Sequence, residues 1–144
     1  MLLKPKKRSY PKFRKGRINL NQSQHKAKAF NSLVFGDFAL VSKVGARCSA
    51  KQLEAARRII RFQLKKTGKL WIRSFPDIPI TAKAVGVRMG KGKGSVDHWV
   101  ARLEAGHTIF EVSGVSSFMA TLAFQKAIYK LGFPCKIIAR IASL

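Results

Sequence analysis

Acidic residues are scarce in this chain: there are six among 144 residues, and none precedes Asp37. Asp37, Glu54, Asp77, Asp97, Glu104 and Glu111 are scattered, and no two sit in a motif that would build a shared active site. Cysteine is nearly absent too. Cys48 and Cys135 lie far apart, which excludes a disulfide framework and a C-x-x-C metal pair and leaves two reduced, partly buried thiols as the expectation. His25, His98 and His107 have no second ligand at metal spacing, and no G-x-S-x-G elbow occurs. No enzyme, metal or cofactor is therefore expected. No run of about 18 apolar residues exists that could span a membrane. The start, MLLKPKKRSY, is too short in apolar residues for the core of a secretory signal.

What the chain has in excess is positive charge. Twenty-nine Lys and Arg give a formal charge of +23 and a pI near 11.1. Hydrophobic residues at 47% are enough for a folded core. Such charge in a small globule repels itself unless a polyanion neutralises it, and nucleic acid is the commonest polyanion. Composition alone leaves an anionic membrane surface open as the alternative.

The charge is unevenly placed. Residues 1–34 read as an extended basic arm: the first 28 carry ten basic residues, and Pro5, Pro11 and Gly16 break any helix. Lys4, Lys6, Lys7, Arg8, Lys12, Arg14, Lys15 and Arg17 are its candidate phosphate ligands. Tyr10 and Phe13 are candidates for stacking on bases, because the arm has no core to enter. Residues 35–144 read as one globular domain. A strand is expected over 35–44, then the capping box Ser49-Ala50-Lys51-Gln52 opens a helix reaching about Lys66, with Gly68 ending it in a left-handed turn. Leu53, Ala56, Ile60 and Leu64 form its buried stripe, while Lys51, Arg58, Arg61 and Lys65 form a basic face. Further strands are expected over 69–75, 80–87, 97–104, 108–114 and 135–141, with Trp71 and Trp99 in the core. A second helix over 117–131 ends at Gly132 and Pro134. This order predicts an α+β two-layer sandwich with both helices on one mostly antiparallel sheet.

The segment 88–95, Arg88-Met89-Gly90-Lys91-Gly92-Lys93-Gly94-Ser95, sits between two strand candidates. Alternating glycines let the backbone approach another surface, and Lys91 and Lys93 supply point charges for phosphates. The segment matches neither a Walker loop nor a dinucleotide fingerprint, and a strand rather than a helix follows it. Aromatic RNP motifs and zinc-finger spacings are missing as well. A nucleic-acid-contacting finger is the reading preferred, with a merely flexible hairpin tip as its rival.

Four stretches carry a resemblance that composition does not: KPKKRSYPKFRKGR (4–17), AKQLEAARRII (50–60), GKLWIRSFPDIPITAK (68–83) and VRMGKGKGSVDHWVA (87–101). In that order they resemble the universal large-subunit ribosomal protein L-sixteen family, of bacterial and organellar type. The resemblance implies an α/β-hammerhead sandwich that binds large-subunit rRNA near 5S rRNA and the aminoacyl-tRNA site, among neighbouring ribosomal proteins. It also implies a role in subunit assembly and tRNA positioning, without a membrane or a homo-oligomer. The Arg88, Met89, Gly90, Lys91, Gly92, Lys93, Gly94 loop would reach toward the peptidyl-transferase region and A-site tRNA, and Arg88 matches an arginine that some bacteria hydroxylate. Residues 18–34 depart from the family pattern, and Cys48 stands where a basic or small residue is usual. Phe- and Ile-rich drift around a strict loop suggests an organellar member, mitochondrial rather than plastid.

Overall fold

A computed structural model of the chain describes residues 3–6, 9–14, 16, 33–65 and 67–140. The fold is α+β, as expected, but the strands form two antiparallel sheets rather than one. Strand β1 (Phe38–Ser42) is followed by β2 (Ala46–Ser49), helix α1 (Ala50–Gln63), β3 (Lys69–Ile72), β4 (Ile78–Ala82), β5 (Ser95–Leu103), β6 (Thr108–Ser113), helix α2 (Ser117–Leu131) and β7 (Cys135–Ala139). One sheet has the order β3-β6-β1-β7 and the other β2-β5-β4. The second sheet is hard to foresee because β2 (ARCS) is four residues long and runs straight into a helix cap, leaving no room for an alternating pattern.

Ser49 serves both elements there. It ends β2 and caps α1, its Oγ accepting from Gln52 N–H at 3.2 Å while Gln52 Oε1 accepts from Ser49 N–H at 2.8 Å. The Gln52 amide also donates to Leu131 O at 3.0 Å, so one capping residue ties the start of α1 to the end of α2. The two helices pack on each other and bury Leu53, Ile60, Leu64, Phe124 and Leu131 against Leu40, Leu103, Ile109 and Phe110 of the sheets. Each such side chain contributes roughly 1.5–3 kcal/mol.

Several boundaries differ from expectation for local reasons. Helix α1 ends at Gln63 with Leu64 as its cap, and the left-handed residue that follows directly is Lys65, at φ 46°, rather than Gly68. Gly68 serves another purpose: a Cβ there would lie 2.5 Å from Ser113 O, so it allows β3 to start hard against the end of β6. Strand β3 ends at Ile72, not residue 75; beyond it Arg73 N–H still donates to Ile109 O at 2.9 Å, while Ser74 meets Thr108 O through its hydroxyl at 3.3 Å. Strand β4 begins two residues earlier than expected and includes Pro79, tolerated because β4 is an edge strand whose missing N–H faces no neighbour. It ends at Ala82, so residues 83–87 belong to the loop.

Trp71 and Trp99 are half-buried rather than core. Trp71 stacks on Phe35 with ring centroids 6.0 Å apart, and the Arg73 guanidinium lies 4.9 Å from the centre of the Phe35 ring. Close by, Glu111, a carboxylate with no exposed surface, accepts from Phe35 N–H (2.7 Å), Gly36 N–H (2.9 Å) and Arg73 Nη1 (2.7 Å). This cluster fixes the point where the chain enters the domain.

Candidate nucleic-acid interface

Among the candidate arm ligands, Lys4, Lys6, Lys12 and Arg14 are exposed, while Lys7, Arg8, Lys15 and Arg17 lie outside the described residues. Tyr10 is 83% exposed and Phe13 46%, which leaves both rings available to stack. The arm does reach a core, however. Leu3 is 6% exposed and joins the main apolar cluster, contrary to the expectation for this segment. A basic segment with one well-placed leucine reads as uniformly solvated, and only the three-dimensional packing reveals the anchor.

The arm is also laced to the glycine-lysine loop. Lys12 Nζ donates to Lys93 O at 2.9 Å, and Lys93 Nζ donates back to Phe13 O. Farther along, Arg47 Nη2 donates to Gly16 O at 2.8 Å. Arg47 is paired across the β2–β5 ladder with Arg102, which places two arginines beside the arm. Neither stands out in the sequence. Their meaning comes from the strand pairing, which is legible only once β2 is known to be a strand.

Residues 82–93 are all exposed, and the loop is shaped by its glycines in two ways. Gly86, Gly90 and Gly92 have φ of 83°, 88° and 81°, and a Cβ on any of them would meet nothing within 4 Å. They are there for backbone conformation, and their outer side is open. Gly94 lies outside the left-handed region and acts through space instead. A Cβ there would sit 2.2 Å from Ala82 O, so only glycine lets the loop close at its base. Lys91 adopts φ 53°, a left-handed conformation that costs about 1 kcal/mol. Lys83 Nζ donates to Gly90 O and folds the tip back on itself. Arg88, Lys91 and exposed Met89 (93%) then face solvent with Val85 and Val87. Of the two loop lysines, Lys93 is engaged by the arm, and Lys91 stands nearer the bare point charge expected of both.

Lys51 and Arg58 on α1 and Lys65 just beyond its end are exposed, and Arg61 is half-buried, its Nη1 reaching Gly68 O at 3.4 Å. The basic face is not free of acid. Glu54 accepts from Arg57 (2.7 and 2.8 Å) and from Arg58 (3.1 Å). The Arg57 hydrogen bonds hold its carboxyl down at about 2, against the opposing effect of burial.

Cys48 and Cys135 are both buried. Burial pushes both thiols up to about 12, so neither is a thiolate at neutral pH. His98 Nδ1 lies 2.8 Å from Asp97, but both groups are exposed neighbours on β5. Among the described residues no group of three His, Cys, Asp or Glu could hold a metal, and no helix is long and apolar enough to cross a membrane.

Fold and surface thus define a class: a small α+β protein that gathers its cations on an arm, a helix face and a loop, in the manner of a ribosomal protein. Residues 5–138 match the family model for ribosomal protein L16p/L10e, and the chain belongs to that family. It is 46% identical over 140 residues to the large ribosomal subunit protein uL16 of Sphingopyxis alaskensis, covering 97% of this chain and 94% of that one. It is 43% identical over 141 residues to the protein of the same name from Rhizobium rhizogenes, covering 98% and 99%. The uL16c protein of Cyanidium caldarium is 43% identical over 138 residues, covering 96% and 95%. These relatives are bacterial with one plastid protein, and they lend no support to the mitochondrial expectation. The family is one of structural ribosomal proteins, not of enzymes.

Proposed function

We propose that this chain, a structural constituent of the large ribosomal subunit, binds large-subunit rRNA near 5S rRNA and the A-site, where it supports subunit assembly and tRNA positioning. Residues 1–34 act as the rRNA-binding arm and 35–144 as the body. The observation that carries the reading is the lacing of Lys12 and Phe13 to Lys93, which joins two basic segments about 80 residues apart into one continuous cationic surface. Its cations fix position on phosphates rather than read sequence. The exposed loop 88–94, with Met89 and Lys91 at its tip, is the part suited to reach tRNA beside the peptidyl-transferase region, and exposed Arg88 is open to modification.

Two measurements test this. If about ten cationic groups engage, the affinity for large-subunit rRNA falls with a log–log salt slope of about −7 to −9. A slope near zero, or anionic vesicles outcompeting that RNA, overturns the reading. Replacing Lys91 and Lys93 by Ala, which also removes the Lys93 hydrogen bond to Phe13 O, impairs tRNA accommodation or late subunit assembly more than folding. Normal translation in that variant removes the role assigned to the loop.

A further inference from the structure

Helix α1 buries Leu53, Ala56 and Ile60 and presents a second face away from the core. Ala55 and Ile59 on that face, with Ala50 at the helix start, line an open cleft of about 710 Å³, shared with Trp99 of β5 and the anchored Leu3 of the arm. Its size lies within the roughly 300–1,000 Å³ of pockets that enclose small organic groups. Lys4, Lys51, Arg58 and Lys130 bring four cations to the same cleft. Against them stands Glu54, whose carboxylate is already held by Arg57 and Arg58. The two alanines keep the slot wide on the helix side, and Trp99, half-buried on its strand, supplies an aromatic surface.

We infer that this cleft takes one unpaired nucleobase of an RNA strand, stacked on Trp99, with the flanking phosphates held by Lys4, Lys51, Arg58 and Lys130. The inference rests on the RNA-binding function proposed above and adds a base-accepting site to it. An apolar slot with a cationic rim complements a planar apolar group carrying negative charge on both sides, and a nucleotide in a single strand is such a group. Bases of a paired A-form helix keep their faces stacked inside, so only a loop, bulge or end can fill the cleft. Phosphate contacts elsewhere on the protein accept paired and unpaired RNA alike. The cleft therefore gives the protein a preference for unpaired RNA that its net charge alone does not.

The test uses the full chain with Trp71→Phe, which keeps an aromatic ring against Phe35 and leaves Trp99 as the single tryptophan. The probes are an RNA stem–loop, a blunt duplex of equal charge and the same stem–loop with abasic loop positions, at fixed salt. The stem–loop is expected to quench Trp99 fluorescence, whereas the duplex and the abasic stem–loop do not. Trp99→Leu should weaken stem–loop binding roughly ten-fold while sparing duplex binding, and Trp99→Phe should restore most of it. Ala55→Gln, which fills the slot from the helix surface, gives the same discrimination should Trp99→Leu disturb β5. If both RNAs bind with equal affinity and the variants change neither, the cleft assignment is overturned, while salt-dependent duplex binding leaves the wider RNA reading intact. Absence of salt-dependent binding to either RNA overturns both. Quenching by an acidic peptide but not by the stem–loop overturns the assignment in favour of a protein partner.

Discussion

Removing the carboxylate of Glu111 should be among the costliest single changes in this protein. Its side chain is fully buried on β6, and its two oxygens accept three hydrogen bonds, from Phe35 N–H, Gly36 N–H and Arg73 Nη1. A Cβ on Gly36 would lie 2.7 Å from Val112 O, so that backbone is pressed directly onto β6. Glu111→Ala leaves two inward-facing N–H groups and one guanidinium edge unsatisfied, at about 3–5 kcal/mol in total. Arg73 is 27% exposed and can recover some solvation, which keeps the figure within that range. Glu111→Gln preserves shape but must point an NH₂ either at the two N–H groups or at Arg73, and should cost about 2–3 kcal/mol. With a urea m-value of about 1–3 kcal/mol/M, the alanine variant's midpoint falls by about 1–5 M in a far-UV circular dichroism titration. Native-state hydrogen exchange should show the Phe35 and Gly36 amides losing protection. A Glu111→Ala midpoint within about 0.3 M of wild type would refute the clamp.

The glycines of the loop should separate by mechanism. Gly94→Ala drives a Cβ into backbone atoms of Ala82 and should cost about 2–3 kcal/mol. Gly90→Ala meets nothing and should cost only the left-handed backbone penalty of about 1 kcal/mol, so thermal melts rank the two clearly. Cys48 and Cys135, held near 12 by burial, should react with a thiol reagent at pH 7.5 at least about a thousand-fold more slowly than in denaturant. Burial, aided by Arg73 and opposed by Glu104, holds His107 below its usual pKa. The unfolded chain therefore takes up that proton first as pH falls through about 6.5, and stability declines from there down to the folded pKa. His107→Gln should flatten that part of a stability-versus-pH curve.

Helices α1 and α2 are legible in the linear chain because each carries its own cap and a three-to-four residue apolar stripe, and these signals are local. The excess of cations, the scarcity of acids and the four family stretches likewise reside in the chain itself. Strand β2 is not legible, since four residues can declare themselves only through β5 beside them. With β2 go Arg47 and Arg102, whose place beside the arm depends on that pairing. Trp99 reads as core from its apolar run, and its half-exposure at a cleft follows from where α1 lies.

The four stretches that resemble the family establish the class of protein, and composition and short-range periodicity its net charge, its helices and its basic segments. Long-range packing alone makes Glu111 a buried clamp and brings the exposed Lys93 against the arm. It also sets Gly94 to close a loop that Gly90 bends, and makes Leu3 an anchor. Each of those depends on atoms brought within a few ångströms of one another by the fold, mostly from positions tens of residues apart, and no local signal encodes such a distance.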